Sequence, residues 1–374
     1  MKNAFAVCLL IALAGSSLLQ GQMNWVCATE SASFGERYGH VSVAFDGKMW
    51  IVGSHDVWCS TDGVNWSCTV DSAPWPLRAE HSVLVFDNKM WLIGGYRVCP
   101  ETVVVYTDVW CSTNGADWVL VTDSASWGEG QMGHTSAVFD NKMWLIGGGF
   151  TTDVWCSADG ADWVLVTDSA SWVPRIHHVS AVFDNKMWLI GGADGEGLPL
   201  NDVWCSTDGI VWTCAVDSAQ WEKRWSAPSV VFDNKMWLMC GQGWNDSGWV
   251  GYTDVWCSTD GIVWTCAVDS TPWAERYGFS AVVFNGRVWI IGGRHHSQNM
   301  KDVWRTTDAF ISEEQIPITL SSVAQSTLYS VSEISELVIS QPSVLFDMTG
   351  RQINVNQIRL GIYFLGNRKI VVLR

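Results

Sequence analysis

The ten-residue stretch FDNKMWLIGG, Phe86–Gly95, recurs unchanged at Phe139–Gly148 and Phe183–Gly192. Looser copies stand at Phe45–Ser54, Phe232–Gly241 and Phe284–Gly293, six in all. A chain with that periodicity is built from repeated supersecondary units, and its fold must let them stack. Aspartate, asparagine and glycine ahead of Lys-Met-Trp are turn formers. The apolar runs on either side, such as SAVVF (280–284) and MWLIG, are short and continuous, as in strands buried on both faces. Paired glycines close the second strand, where a side chain would block a bend or a close backbone approach.

The unit is longer than its anchor. From His178 it reads HVSAVF (strand a), KMWLIGG (b), DVWCSTDG (c, from Asp202) and IVWTCAVDSA (d, from Ile210). The anchor tryptophans, Trp50, Trp91, Trp144, Trp188, Trp237 and Trp289, are spaced by 41, 53, 44, 49 and 52 residues. Four strands repeated at that period bury their faces when arranged radially, each sheet covering its neighbour. The last unit has a, b and c but no d. The segment NWVCATESASF, Asn24–Phe34, matches d strands such as VWTCAVDSAQW. The expectation is therefore an all-β fold: a six-bladed β-propeller over residues 22–310, closed by the N-terminal strand.

The pattern R-x-x-H, then F-D-N-K-M-W-L-I-G-G, then D-V-W resembles kelch repeats, and the resemblance covers residues 24–310. The turn S-T-D-G-x-x-W (Ser60–Trp66 and its copies) resembles a shortened Asp-box, the hairpin motif of sialidase-type propellers, with Asn114 in place of the aspartate once. In those families the motif is structural, which implies a structural role for Asp62, Asp159, Asp208 and Asp260.

The ends differ from the repeat. Lys2, an apolar run (Ala4–Ala14) and small residues read as a secretory signal peptide over 1–21, its apolar run too short for a stable membrane anchor. No other stretch reads as a membrane span. Residues 22–310 carry 16 Lys+Arg against 33 Asp+Glu, a net of −17, whereas 341–374 carry five basic residues against one acid, a net of +4. Residues 311–342 read as a linker with an edge strand. The segment 343–374 alternates strands with glycine turns; its LFDMTGR, LGIYFL and final KIVVLR resemble the type A C-terminal sorting domain of the type IX secretion system. That resemblance implies the type IX machinery as a partner and a secreted or outer-surface location. The formal charge of −16 argues against a nucleic-acid partner.

Eleven cysteines follow the signal segment. Cys59 with Cys68, Cys205 with Cys214 and Cys257 with Cys266 share one spacing, and export would permit disulfides there. Cys111 and Cys156 fill the same slot opposite Leu120 and Leu165, so buried free thiols fit equally well. No CxxC or His/Cys cluster of ligand spacing occurs, so neither metal nor other cofactor is expected.

In an a-b-c-d meander the a–b and c–d turns share one face, and the b–c and d–a loops share the other. The b–c loops vary: Tyr96–Thr107, Ala193–Asn201, Gln242–Thr253 and Arg294–Lys301 among them. Variable loops on a rigid scaffold are where recognition usually sits. The d–a loops place Arg37, Arg78, Arg175, Arg224 and Arg276 on that face, Gly130 standing at the equivalent place in the third unit. Kelch resemblance implies that such arginines line the mouth of the funnel, and guanidinium forks suit carboxylate or sulfate. Trp225, Trp244 and Trp249 stand outside the repeat positions, between units four and five or within unit five. Exposed there, their rings would stack on sugar. The acids of this face are scattered, and no opposed carboxylate pair suggests a glycosidase.

The favoured reading is a non-catalytic module binding a glycan or an acidic peptide or protein through these eight residues. A carbohydrate-active enzyme of the six-bladed kelch type, sialic-acid epimerase-like or sialidase-like, is the rival. A structural cell-surface protein is the third possibility.

Overall fold

The computed structural model describes residues 23–128, 132–245 and 248–307, with four short strands farther along. The signal-peptide segment lies outside the described residues. The chain divides into two compact units, Met1–Phe310 and Ile311–Arg374.

Six antiparallel meanders of four strands form the ring, the fourth blade's sheet gaining the two-residue strand Arg175–Ile176 beside its b strand, and among the described residues the first unit contains no helix. In the second blade, for example, strand a (Ser82–Phe86) pairs with b (Lys89–Ile93), b with c (Val109–Ser112), and c with d (Val119–Thr122). In the sixth, a is Ser280–Phe284, b Arg287–Ile291 and c Val303–Thr306. Its fourth strand is Trp25–Thr29, in antiparallel register with c from Trp25↔Thr306 to Thr29↔Val303. The ring closes with six blades and with the N-terminal strand, as the repeat arithmetic predicts.

The core lies between blades rather than inside any one of them. One cluster joins Phe139, Trp144 and Ile146 of the third blade to Met187, Leu189 and Trp212 of the fourth. Another joins Phe284, Trp289 and Ile291 of the sixth to Met49 and Ile51 of the first. Strand b explains this: Met90, Leu92 and Ile93 are all fully buried, because a blade wedged between two others presents apolar groups to both.

Two local devices fix the spacing of the blades. Each anchor indole donates to the carbonyl of the phenylalanine that opens its own hairpin, Trp50 Nε1 to Phe45 O at 3.0 Å for instance. For five of the six, all but Trp237, the ring then lies against the glycine of the next blade's c–d turn. A Cβ on Gly115 would fall 2.1 Å from the Trp50 ring, and Gly160 and Gly209 meet Trp91 and Trp144 in the same way. The turn is tied by its own side chains: Asp62 Oδ1 accepts from the amides of Val64 and Asn65 at 2.9 and 2.8 Å, and Ser60 Oγ accepts from Gly63 at 2.8 Å. These bonds draw the Asp62 carboxyl down to a pKa of about 2, the Asn65 contacts foremost.

Among the described residues all eleven cysteines are free thiols. A bulge at the start of each c–d pair sets Cys68 opposite Trp58 and Cys59 opposite Ser67. Residues one step out of register point to opposite faces of a sheet. Cys205 with Cys214 and Cys257 with Cys266 are offset identically, so none of the three spacings makes a bridge.

Three b–c loops rise from the ring as small hairpins: Tyr96–Cys99 with Thr102–Val105, Gln242–Asn245 with Gly248–Gly251, and Arg294–His295 with Gln298–Asn299. In the second unit, Leu328–Tyr329, Arg368–Val372, Gly361–Leu365 and Leu345–Asp347 form one sheet in that order, the first pair parallel and the others antiparallel. The remainder of the 311–342 linker and of 343–374, including residues 348–351 of the LFDMTGR motif, lies outside the described residues.

Candidate functional site

The five arginines come first, because the structure reassigns them. Arg78 Nη1 and Nη2 donate to the two carboxylate oxygens of Asp108 at 2.5 and 2.6 Å, and Nη1 also donates to the carbonyl of Gly94. Arg175 holds Asp202 and the Gly191 carbonyl, Arg224 holds Asp254 and that of Cys240, and Arg276 holds Asp302 and that of Gly292. Arg37 is forked onto Asp56 at 2.9 and 3.1 Å and also reaches the Phe34 carbonyl. Each aspartate is the one in D-V-W, and in these five blades it also accepts from the indole of the following tryptophan. Four of the arginine side chains are no more than 2% exposed and Arg37 is 13% exposed. The chain itself supplies the anion that each would offer a ligand, so the arginine ring is a set of internal staples.

The central cavity, about 300 Å³, is lined by the a strands and the residues before them. His40, His81, His134 and His178 are buried there. His81 Nε2 lies 3.2 Å from the Val52 carbonyl and His178 Nε2 2.9 Å from that of Ile146, each reaching back to the preceding blade. Burial, reinforced by the neighbouring arginine, pushes the pKa of His40, His81 and His178 down to about 3. They are neutral, structural imidazoles. Below them a belt of small hydroxyls lines the wall, Thr135 Oγ1 meeting Ser180 Oγ at 2.7 Å and Ser82 Oγ meeting His134 Nε2 at 3.2 Å.

At the mouth, the residue before each of these four histidines, and before Ala227 and Phe279 at the equivalent places of blades five and six, has a left-handed backbone: Gly39, Glu80, Gly133, His177, Ser226 and Gly278, with φ between 51° and 67°. Three of the six carry side chains at some backbone strain. Glu80 and His177 meet across Gly133, Oε2 to Nδ1 at 3.4 Å, while Tyr96 Oη donates to Glu80 Oε1 at 3.1 Å. A Cβ on Gly133 would lie 3.0 Å from Ile176 Cβ and 3.4 Å from Glu80 Oε2, so this glycine leaves the gap through which they touch. Burial first, then the Glu80 charge, pushes the Tyr96 hydroxyl well above the ordinary tyrosine range. Nothing in the sequence pairs Glu80, Tyr96 and His177, which come from three separate loops.

The three unrepeated tryptophans are brought together. Trp244 and Trp249 face each other across the Gln242–Asn245 and Gly248–Gly251 hairpin, so both side chains share one of its faces. Trp225 is tied to the hairpin base by paired backbone bonds with Gln242, and its ring centre lies 6.3 Å from that of Trp244 at 43°. Trp249 Nε1 donates to Gln242 Oε1 at 3.0 Å, which fixes its ring. That ring meets Tyr277 edge-on at 5.8 Å, and Tyr277 meets Tyr38 at 6.4 Å. Trp244 is 51% exposed and Tyr38 46%. The result is a band of aromatic rings across blades five, six and one.

Residues 80–293 match the family model described as the KLHDC2/KLHL20/DRC7 Kelch-repeats domain. The chain belongs to this Kelch-repeat family. No curated protein matches it. A solved structure described as "Structure of YjhT" is similar over 75% of this chain and 98% of that one, with a TM-score of 0.63 and 14% sequence identity. At that identity the likeness shows the propeller fold alone. In this Kelch protein the double glycines and D-V-W motifs are scaffold, and what distinguishes one blade from another is its loops.

One further group of donors emerges on the same face. Glu275, from the loop entering blade six, lies beside His295 and His296 of that blade's b–c hairpin, with one ligand-type atom from each within 4.8 Å of the others. Sequence spacing did not reveal it, because its two parts are twenty residues apart on different loops.

Proposed function

We propose that this Kelch propeller is a binding module that takes a glycan on the aromatic band of blades five and six. The half-exposed Trp244 carries the reading, held on a hairpin between Trp225 and Trp249. An exposed indole that large is costly to leave in water, and its flat apolar face suits the C–H face of a pyranose. With the arginines satisfied internally, an acidic peptide loses the groups expected to hold it, and the glycan becomes the favoured ligand. The signal-like N-terminus and the sorting-domain resemblance support presentation outside the cell, with the type IX machinery as the export partner. A glycan array followed by titration calorimetry tests the proposal. Trp244→Ala and Trp249→Ala should each weaken binding about tenfold or more while leaving the melting temperature in place. Binding unchanged in both variants would remove the aromatic band from the site.

A second reading rests on Glu80, Tyr96 and His177 at the cavity mouth. A carboxylate touching a tyrosine hydroxyl and an imidazole, on strained backbone, is an arrangement able to move a proton on a sugar ring. Product analysis on any array hit, with Glu80→Gln beside the wild type, decides it: turnover lost in E80Q supports an enzyme, and recovery of only unaltered ligand supports the module.

A further inference from the structure

We propose that Glu275, His295 and His296 form a binding site for a first-row divalent transition-metal ion, with zinc its redox-silent representative, beside the aromatic band on blade six. Two imidazoles and one carboxylate are the donor set of many three-ligand zinc sites that keep a fourth position open. The spacing suits such an ion. Bonds of 2.0–2.1 Å in a tetrahedron place neighbouring donors about 3.3–3.5 Å apart, and His296 Nε2 stands 3.5 Å from Glu275 Oε1. One ligand-type atom from each of the three residues lies within 4.8 Å of the others, so side-chain rotations would close the set.

The surroundings prepare the ligands. His295 Nδ1 lies 2.8 Å from the backbone carbonyl of Glu275. A carbonyl oxygen only accepts, so Nδ1 holds the proton and the lone pair is left on Nε2. That bond to a backbone carbonyl is the usual outer support of a metal-bound imidazole, fixing both tautomer and ring plane. His296 is turned toward the glutamate by a left-handed backbone, with φ of 49°. Arg294 Nε donates to the His296 carbonyl at 3.0 Å, and its guanidinium lies 4.9 Å over the Tyr38 ring. That guanidinium is thereby occupied beside the site rather than forked onto the glutamate, and that of Arg276 is held by Asp302. Gly251, whose Cβ would fall 2.8 Å from that of Glu275, leaves room for the carboxylate arm.

The fourth coordination position would open toward solvent near Trp249, whose ring centre is 5.9 Å from that of His296. This gives a spectroscopic handle, since a bound Cu(II) ion would quench that indole. The untagged full chain, freed of metal by chelator, is titrated with zinc chloride by calorimetry and with Cu(II) by tryptophan fluorescence. One equivalent of zinc is expected, with His296→Ala and Glu275→Gln each weakening it more than about tenfold and reducing the quenching. Melting temperature and circular dichroism certify the fold. His296 is 63% exposed and the Glu275 change is isosteric, so at least one variant is expected to fold. A wild type that takes up no zinc, or a folded variant that keeps the wild-type affinity, overturns the proposal.

Discussion

Arg78 and Asp108, thirty residues apart in the chain, meet through two parallel hydrogen bonds at 2.5 and 2.6 Å in the wall of blade two. The arginine side chain has no exposure and the aspartate 12%. The pair joins the loop entering the blade to its third strand, and through Gly94 O to its second.

Breaking it leaves a buried guanidinium without its counter-charge, so Asp108→Asn should lower stability by about 3 kcal/mol or more in denaturant unfolding. Blade three offers the contrast. It has Gly130 where the others have arginine, and burial, with Asp168 nearby, holds the Asp153 carboxyl above its usual range. Asp153→Asn relieves that and should leave the unfolding midpoint unchanged or raised.

Glycine at the c–d turn is a packing requirement. Gly115→Ala would drive a methyl into the Trp50 ring on a backbone already at φ +75°, and should destabilise by roughly 1–3 kcal/mol or prevent soluble expression. Gly195→Ala, where nothing lies within 4 Å, should be silent in the same thermal melt.

The buried histidines make the ring acid-sensitive. In the unfolded chain they take up protons below about pH 6.5, but His81 and His178 in the folded chain only near 3. Unfolding therefore binds protons between those limits. Stability is complete above pH 6.5 and declines as pH falls toward 3. Melting temperatures recorded across that window should slope downward, and His81→Gln, which cannot titrate, should flatten the slope.

Free thiols give a fourth expectation. Reductant should not move the melting temperature, since no bridge is there to open. Burial, then Asp56 and Asp71, raises the Cys68 thiol above the usual range, so native Cys68 should alkylate more slowly than free cysteine at pH 8 despite its exposure.

The architecture was legible because it was written six times. Trp50 and its five counterparts marked the period, and a missing fourth strand at one end matched a surplus one at the other. Trp225, Trp244 and Trp249 were legible for the opposite reason, standing where the pattern has no tryptophan. The arginines misled because their partner was hidden in plain view: the aspartate of D-V-W recurs with them, but 19 residues away for Arg37 and 30 for Arg78. Cysteine spacing left bridge and free thiol equally open, because the single bulge that turns Cys68 away from Cys59 leaves no mark in the sequence. Glu80 and His177 come from loops entering different blades, and Glu275 and His296 from two separate loops of blade six, so neither meeting is written in sequence spacing.

The seam of the ring joins Asn24 to Thr307 across 283 positions of sequence. A ribosome delivers the first of these long before the second, so that closing segment must wait for nearly the whole propeller to follow. Any protease or chaperone that meets the newborn polypeptide meets that waiting edge, and release of a finished ring is timed by its last few residues.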